Sequence, residues 1–132
     1  MFYLIIISIF IFIIKKKKKQ TFNENLADNG GLSRAFEAWK LSNKDDEKFN
    51  ERNKALPGLS EFTAEQLFYI AFGQSFCEKG TPEMAKTYLS SNLHSLGQYR
   101  IIGSISNNEQ FAKVFSCPKN SPMNPELKCK IW

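Results

Sequence analysis

Residues 24–40 read ENLADNGGLSRAFEAWK. From Leu32 onward, Leu32, Ala35, Phe36 and Trp39 recur at the spacing that puts side chains on one stripe of an α-helix, with charges between them. The stretch therefore predicts an amphipathic helix over 32–44. Just upstream, Glu24 and Asp28 stand four residues apart, which on a helix is one face, one turn apart. Two readings of this pair stay open on spacing alone. They are surface carboxylates at a helix N-terminus, where acidic groups suit the dipole, or they carry chemistry. In the second case Glu24 is a hard-oxygen metal ligand, and Asp28 holds a ligand histidine by its other ring N–H. Asn29-Gly30-Gly31 is unusual here, because each glycine costs about 1 kcal/mol in a helix and a close backbone approach is the expected return.

Downstream, the chain reads as helices joined by short connectors. The polar run Asn43 to Lys54 ends at Pro57-Gly58 and predicts a solvated helix end or loop. Thr63 with Gln66 is a capping-box pattern, and Leu67, Ile70, Ala71, Gln74 and Cys77 continue one face to about Lys79. Thr81-Pro82-Glu83 starts another helix, with threonine capping and proline in the first turn. Asn107 with Gln110 suggests a cap before Phe111, Val114 and Phe115. Tyr99 to Ile105, holding Ile101, Ile102 and Ile105 around Gly103, is the one strand-like run. The tail from Cys117 to Trp132 carries Pro118, Pro122 and Pro125 and predicts an ordered but irregular segment. The fold class is mainly α, with one short strand-like segment and an irregular proline-rich tail.

Upstream, residues 1–19 form a leader distinct from the body, 20–132. Thirteen of its first 14 residues are apolar, and Lys15 to Lys19 follow. Those five lysines supply the whole net charge of +5, so the body is neutral and no basic face for nucleic acid is expected. The apolar run is shorter than the roughly 20 residues a spanning helix needs, and it lacks the flanks of a signal peptide. Membrane association through 1–14 is one expectation, with the lysines keeping the following chain cytoplasmic. The other is that A- and T-rich non-coding sequence has been read into an incorrect start. Cys77, Cys117 and Cys129 cannot all pair within one chain. With no CxxC pair and a single histidine, His94, a complete zinc finger or histidine cage is excluded.

ENLADNGGL resembles the third-ligand motif of the neprilysin and endothelin-converting-enzyme family of zinc peptidases. The resemblance continues through LPGLSEFTAEQLFYIAFGQSFC (56–77), TPEMA (81–85), LHSLGQYRIIG (93–103) and FSCPKNSPMNPELKCKIW (115–132). It covers Thr21 to Trp132 and implies the C-terminal helical portion of a zincin-type metallopeptidase catalytic domain. By that resemblance Glu24 is the third zinc ligand, and Asp28 orients a zinc-bound histidine. His94, within Leu93-His94-Ser95, stabilises the transition-state oxyanion, and Arg100 binds a backbone carbonyl of the peptide substrate. An imidazole suits developing negative charge, and a guanidinium fork suits a carbonyl. Without the family, His94 reads as a surface or capping residue and Arg100 as a strand-edge charge.

Two departures matter. Asn23 stands where the family has glycine, and HExxH, the source of two histidine ligands and the general-base glutamate, is absent. One carboxylate does not make a zinc site, since at least three protein ligands are needed. The expectation is a piece of an oligopeptide-hydrolysing endopeptidase, inactive and unable to retain zinc until the upstream half is present. In the family the matching cysteines pair with upstream partners in an extracellular or membrane-bound domain, so all three would lack partners here. The competing expectation is a non-catalytic, membrane-associated or binding protein derived from a peptidase exon.

Overall fold

The structure, a computed structural model, describes residues 2–44, 48–52 and 57–129, the side chains of 2–19, 50 and 52 excepted. Among these residues the chain forms α1 (Phe2–Lys44), α2 (Phe49–Arg52), α3 (Ala64–Ser75), α4 (Pro82–Ser91), α5 (Gly97–Asn107) and α6 (Glu109–Val114). The only pairing of strand type recorded among them is an isolated bridge between Ser121 and Asn124. The chain is therefore mainly helical.

The helix predicted from 32 begins far earlier. α1 runs unbroken through the leader, the carboxylate pair and both glycines. Glu24 and Asp28 consequently stand in mid-helix, which removes the reading that they serve a helix N-terminus. Gly30 is buried, as a close approach requires. At Gly31 a side chain would meet open space, and nothing in the structure explains the second glycine. No helix among the described residues is long and apolar enough to cross a membrane.

Leu32, Phe36 and Tyr69 are the centre of an aromatic core, with Trp39, Phe68, Phe72, Ile105, Phe111 and Phe115 packed around them. Phe36 meets Tyr69 at 5.0 Å and Phe68 at 5.2 Å between ring centroids, and Tyr69 meets Phe111 edge-on at 5.3 Å. Ala35, expected on the buried stripe of α1, is exposed. On α3 the buried face is Phe68, Tyr69 and Phe72, whereas Ala71 and Gln74 of the predicted face are exposed. Leu67 to Phe72 are all apolar, so periodicity does not choose between neighbouring stripes. The aromatic one buries more area and adds edge-to-face contacts. α3 ends at Ser75, short of Lys79.

Both threonine caps are present. Thr63 forms a full capping box with Gln66, and Thr81 accepts from the Met84 N–H ahead of Pro82. The cap of α6 lies one residue later than expected. Asn108 Oδ1 accepts from the Phe111 N–H at 2.8 Å and from the Tyr69 hydroxyl at 3.0 Å, while its Nδ2 donates to Ser33 Oγ at 3.1 Å. This buried carboxamide ties α1, α3 and α6 together.

The strand-like run Tyr99 to Ile105 is helical throughout, inside α5. Ile101 and Ile105 are four apart, and Ile105 packs on the core while Ile102 faces outward. β-branching only weakly disfavours a helix, and tertiary packing overrides it. The tail to Cys129 is irregular but tied down. The Asn107 carboxamide donates to Cys129 O at 2.8 Å and accepts from its N–H at 2.7 Å, and Lys128 Nζ donates to Ser106 O at 2.7 Å. Leu56, the last three residues of the tail and parts of the polar run (45–47 and 53–54) lie outside the described residues.

Candidate functional site

The four singled-out residues come from two stretches some 70 residues apart and meet on one face of α1. Glu24 and Asp28 project from successive turns of α1. Opposite them stand His94, in the connector after α4, and Arg100, in the first turn of α5. The connector is held to α1 by polar contacts. Ser95 Oγ donates to Asn25 Oδ1 at 3.0 Å, and Gln20 Nε2 donates to Asn92 O at 2.7 Å.

Arg100 grips Asp28 with a two-pronged fork, Nε to Oδ2 at 2.6 Å and an Nη to Oδ1 at 2.7 Å. Only 18% of the Arg100 side chain and 12% of that of Asp28 is exposed. The hydrogen bond to Asp28 raises the Arg100 pKa above the ordinary guanidinium value. Partial burial opposes it, and the charges of Asp28, Tyr88 and Glu24 add to it. The guanidinium carbon of Arg100 also lies over the Phe76 ring, 4.6 Å from its centroid.

His94 Nε2 stands 3.0 Å from Glu24 Oε2, with 37% and 38% of the two side chains exposed. Its Nδ1 lies 3.0 Å from Asn92 Oδ1, the oxygen that also accepts the His94 backbone N–H at 2.9 Å. An amide oxygen only accepts, so Nδ1 carries a proton. The contact with Glu24 is then attractive when Nε2 is protonated as well. Asn92 thus sets the orientation of the imidazole, as a hydrogen-bond partner on the second ring nitrogen generally does.

Sequence reading picks out all four residues but not their partners. Glu24 faces His94, and Asp28 faces Arg100. No group of three or more metal-ligating side chains occurs among the described residues. The carboxylate present fits one position of a zinc site and not a whole one. Sequence reading does not single out Asn92, although it sits two residues before His94, nor Phe76, which belongs to a phenylalanine-rich run that reads as core and meets Arg100 from another helix. A cleft of about 510 Å³ opens beside the site between α3, α4 and α5, lined in part by Phe76, Met84, Tyr88, Leu96 and Ile101. Cys77 and Cys129 are exposed, Cys117 is half-buried, and all three are free thiols.

The chain matches the family model described as Peptidase family M13 over residues 12–131, a match that begins inside the leader. It is 43% identical to neprilysin of Oryctolagus cuniculus over 112 residues and 43% identical to neprilysin-2 of Drosophila melanogaster over the same length. It is 42% identical to endothelin-converting enzyme 1 of Bos taurus over 114 residues. These alignments take in 85–86% of this chain and 14% of each relative. The chain thus spans a small part of the length of the curated relatives it matches.

Proposed function

Because the chain belongs to peptidase family M13, we propose that it forms the C-terminal, substrate-facing part of the catalytic domain of a neprilysin-like zinc endopeptidase acting on oligopeptides. The observation that carries this reading is the convergence of Glu24, Asp28, His94 and Arg100 on one face of α1. Asp28 takes Nε and one N–H of Arg100. The remaining N–H groups of the guanidinium are donors for a substrate carbonyl, held in plane by the fork. His94, with Asn92 on Nδ1, presents Nε2, which donates to the oxyanion of a tetrahedral intermediate when the ring carries both protons.

Zinc is the metal this family implies, and the residues present do not complete its site. Glu24 offers one oxygen where three protein ligands are required, and His94 is the only histidine. Zinc retention and peptide hydrolysis are therefore assigned to the chain acting together with an HExxH-bearing segment, in a membrane-bound or extracellular setting. The 132 residues alone are expected to retain no zinc and cleave no peptide. Zinc retained through gel filtration, or chelator-sensitive cleavage, by these residues alone would overturn that assignment.

With the HExxH segment present, Glu24→Ala should abolish metal content and activity together. His94→Ala should spare the metal and lower turnover by about 2.7–4 kcal/mol of transition-state stabilisation, the usual effect of one oxyanion donor. Loss of zinc from His94→Ala with retention by Glu24→Ala would reverse the roles assigned here. A chain that stays inactive and metal-free in that setting would favour a non-catalytic binding role.

A further inference from the structure

The N-cap of α5 is Leu96, whose side chain makes no cap hydrogen bond. The first N–H groups of a helix need an acceptor from outside it, and leucine has none to give. Glu78, 19 residues upstream in the connector between α3 and α4, supplies one: its Oε1 accepts from the Gly97 N–H at 2.8 Å. A carboxylate is also the charge that a helix N-terminus favours. The same connector follows directly from Phe76, the C-cap of α3, whose ring lies under the Arg100 guanidinium. Gly97 is buried between them. A Cβ at that position would lie 2.6 Å from Phe76 O and 3.0 Å from Glu78 Oε1, so only glycine allows this approach.

Gly97 and Arg100 share the first turn of α5. What fixes Gly97 fixes the backbone that carries Arg100, while the Phe76 ring supports its guanidinium from one side and Asp28 holds one edge. We infer that Phe76 and Glu78 are positioning residues for Arg100. They form a bracket that aims its remaining N–H groups, those not taken by Asp28, at the substrate carbonyl. The inference rests on the reading of Arg100 as the carbonyl-binding residue.

Two measurements test it. In the 132-residue chain, the Arg100 Nε–H resonance should be displaced by the ring current of Phe76, and Phe76→Leu should abolish that displacement while keeping apolar bulk. Glu78→Ala should speed exchange of the Gly97 amide about fivefold, the effect of losing one cap. Glu78→Gln, which keeps an acceptor oxygen, should stay within about twofold of the parent. Glu78 is exposed, so its variants remain informative if Phe76→Leu does not fold.

In the zinc-loaded peptidase that carries this chain with its HExxH segment, Glu78→Ala and Phe76→Leu should each lower kcat/KM about tenfold, chiefly through KM. Zinc content should be unchanged, and Glu78→Gln and Phe76→Tyr should restore most of the loss. Unaltered kinetics in Glu78→Ala and Phe76→Leu, beside a clear loss in Arg100→Ala, would overturn the bracket alone. Unaltered kinetics in Arg100→Ala would instead overturn the reading on which the bracket rests.

Discussion

The two ion pairs of the site differ in strength for a physical reason. Asp28 and Arg100 are mostly withdrawn from water and meet through two charge-assisted hydrogen bonds. Leaving one of them unpaired there costs about 2–4 kcal/mol. Glu24 and His94 are more than a third exposed, and solvent screening leaves such a pair worth about 0–1 kcal/mol. Asp28→Asn should therefore lower the stability of the isolated chain by about 2–3 kcal/mol in a urea titration, whereas Glu24→Gln should change it by less than about 1. Equal losses in the two variants would contradict this division. Glu24 and Asp28 were legible because one helical turn separates them, and His94 and Arg100 because a long motif surrounds them. The pairing of Asp28 with Arg100 was not, since it depends on how α5 sits against α1.

Among the elements, α5 departs furthest from its sequence. Three isoleucines and a glycine point locally to a strand. The helix is secured by contacts that no local window contains: the distant cap on Gly97 and the packing of Ile105. α3 and α4 are legible because Thr63, Gln66, Thr81 and Pro82 act within four residues of one another. Where α3 and α6 meet, Tyr69 carries a pH-dependent consequence. Burial raises its phenol pKa well above the ordinary value of 10.0. The unfolded chain loses that proton near pH 10 and the folded chain does not, so the unfolded state binds fewer protons and stability falls as pH climbs above about 10. Below that the residue contributes no pH dependence. Tyr69→Phe should flatten the alkaline limb of a stability–pH curve, while leaving a general loss from Asn108, whose Oδ1 gives up one of its two donors. An alkaline limb equally steep in the variant would place its cause elsewhere.

For the whole molecule, the mainly helical class and the family could be read from the sequence, and the modest apolar share of residues 20–132 points to a modest core. Among the described residues those fully buried at the centre are few, and Phe22, Leu41, Met84, Leu93, Tyr99 and Ile102 are exposed. Burial on that scale predicts marginal stability. The three free thiols give a further expectation. Counting by mass shift after alkylation of the native chain should find Cys77 and Cys129 modified readily and Cys117 more slowly, as their exposures order them. A bridge between any two of them in every molecule would count against it.

The hold of Asn107 on the tail bears on how freely position 129 can vary. The carboxamide pairs with the N–H and C=O of residue 129 as a neighbouring strand would, and makes no demand on the side chain there. Docking of the tail is thus blind to the letter written at 129 and strict about the letter at 107. The thiol can be exchanged for serine, or fitted with a spectroscopic label, while the backbone at 129 keeps its address.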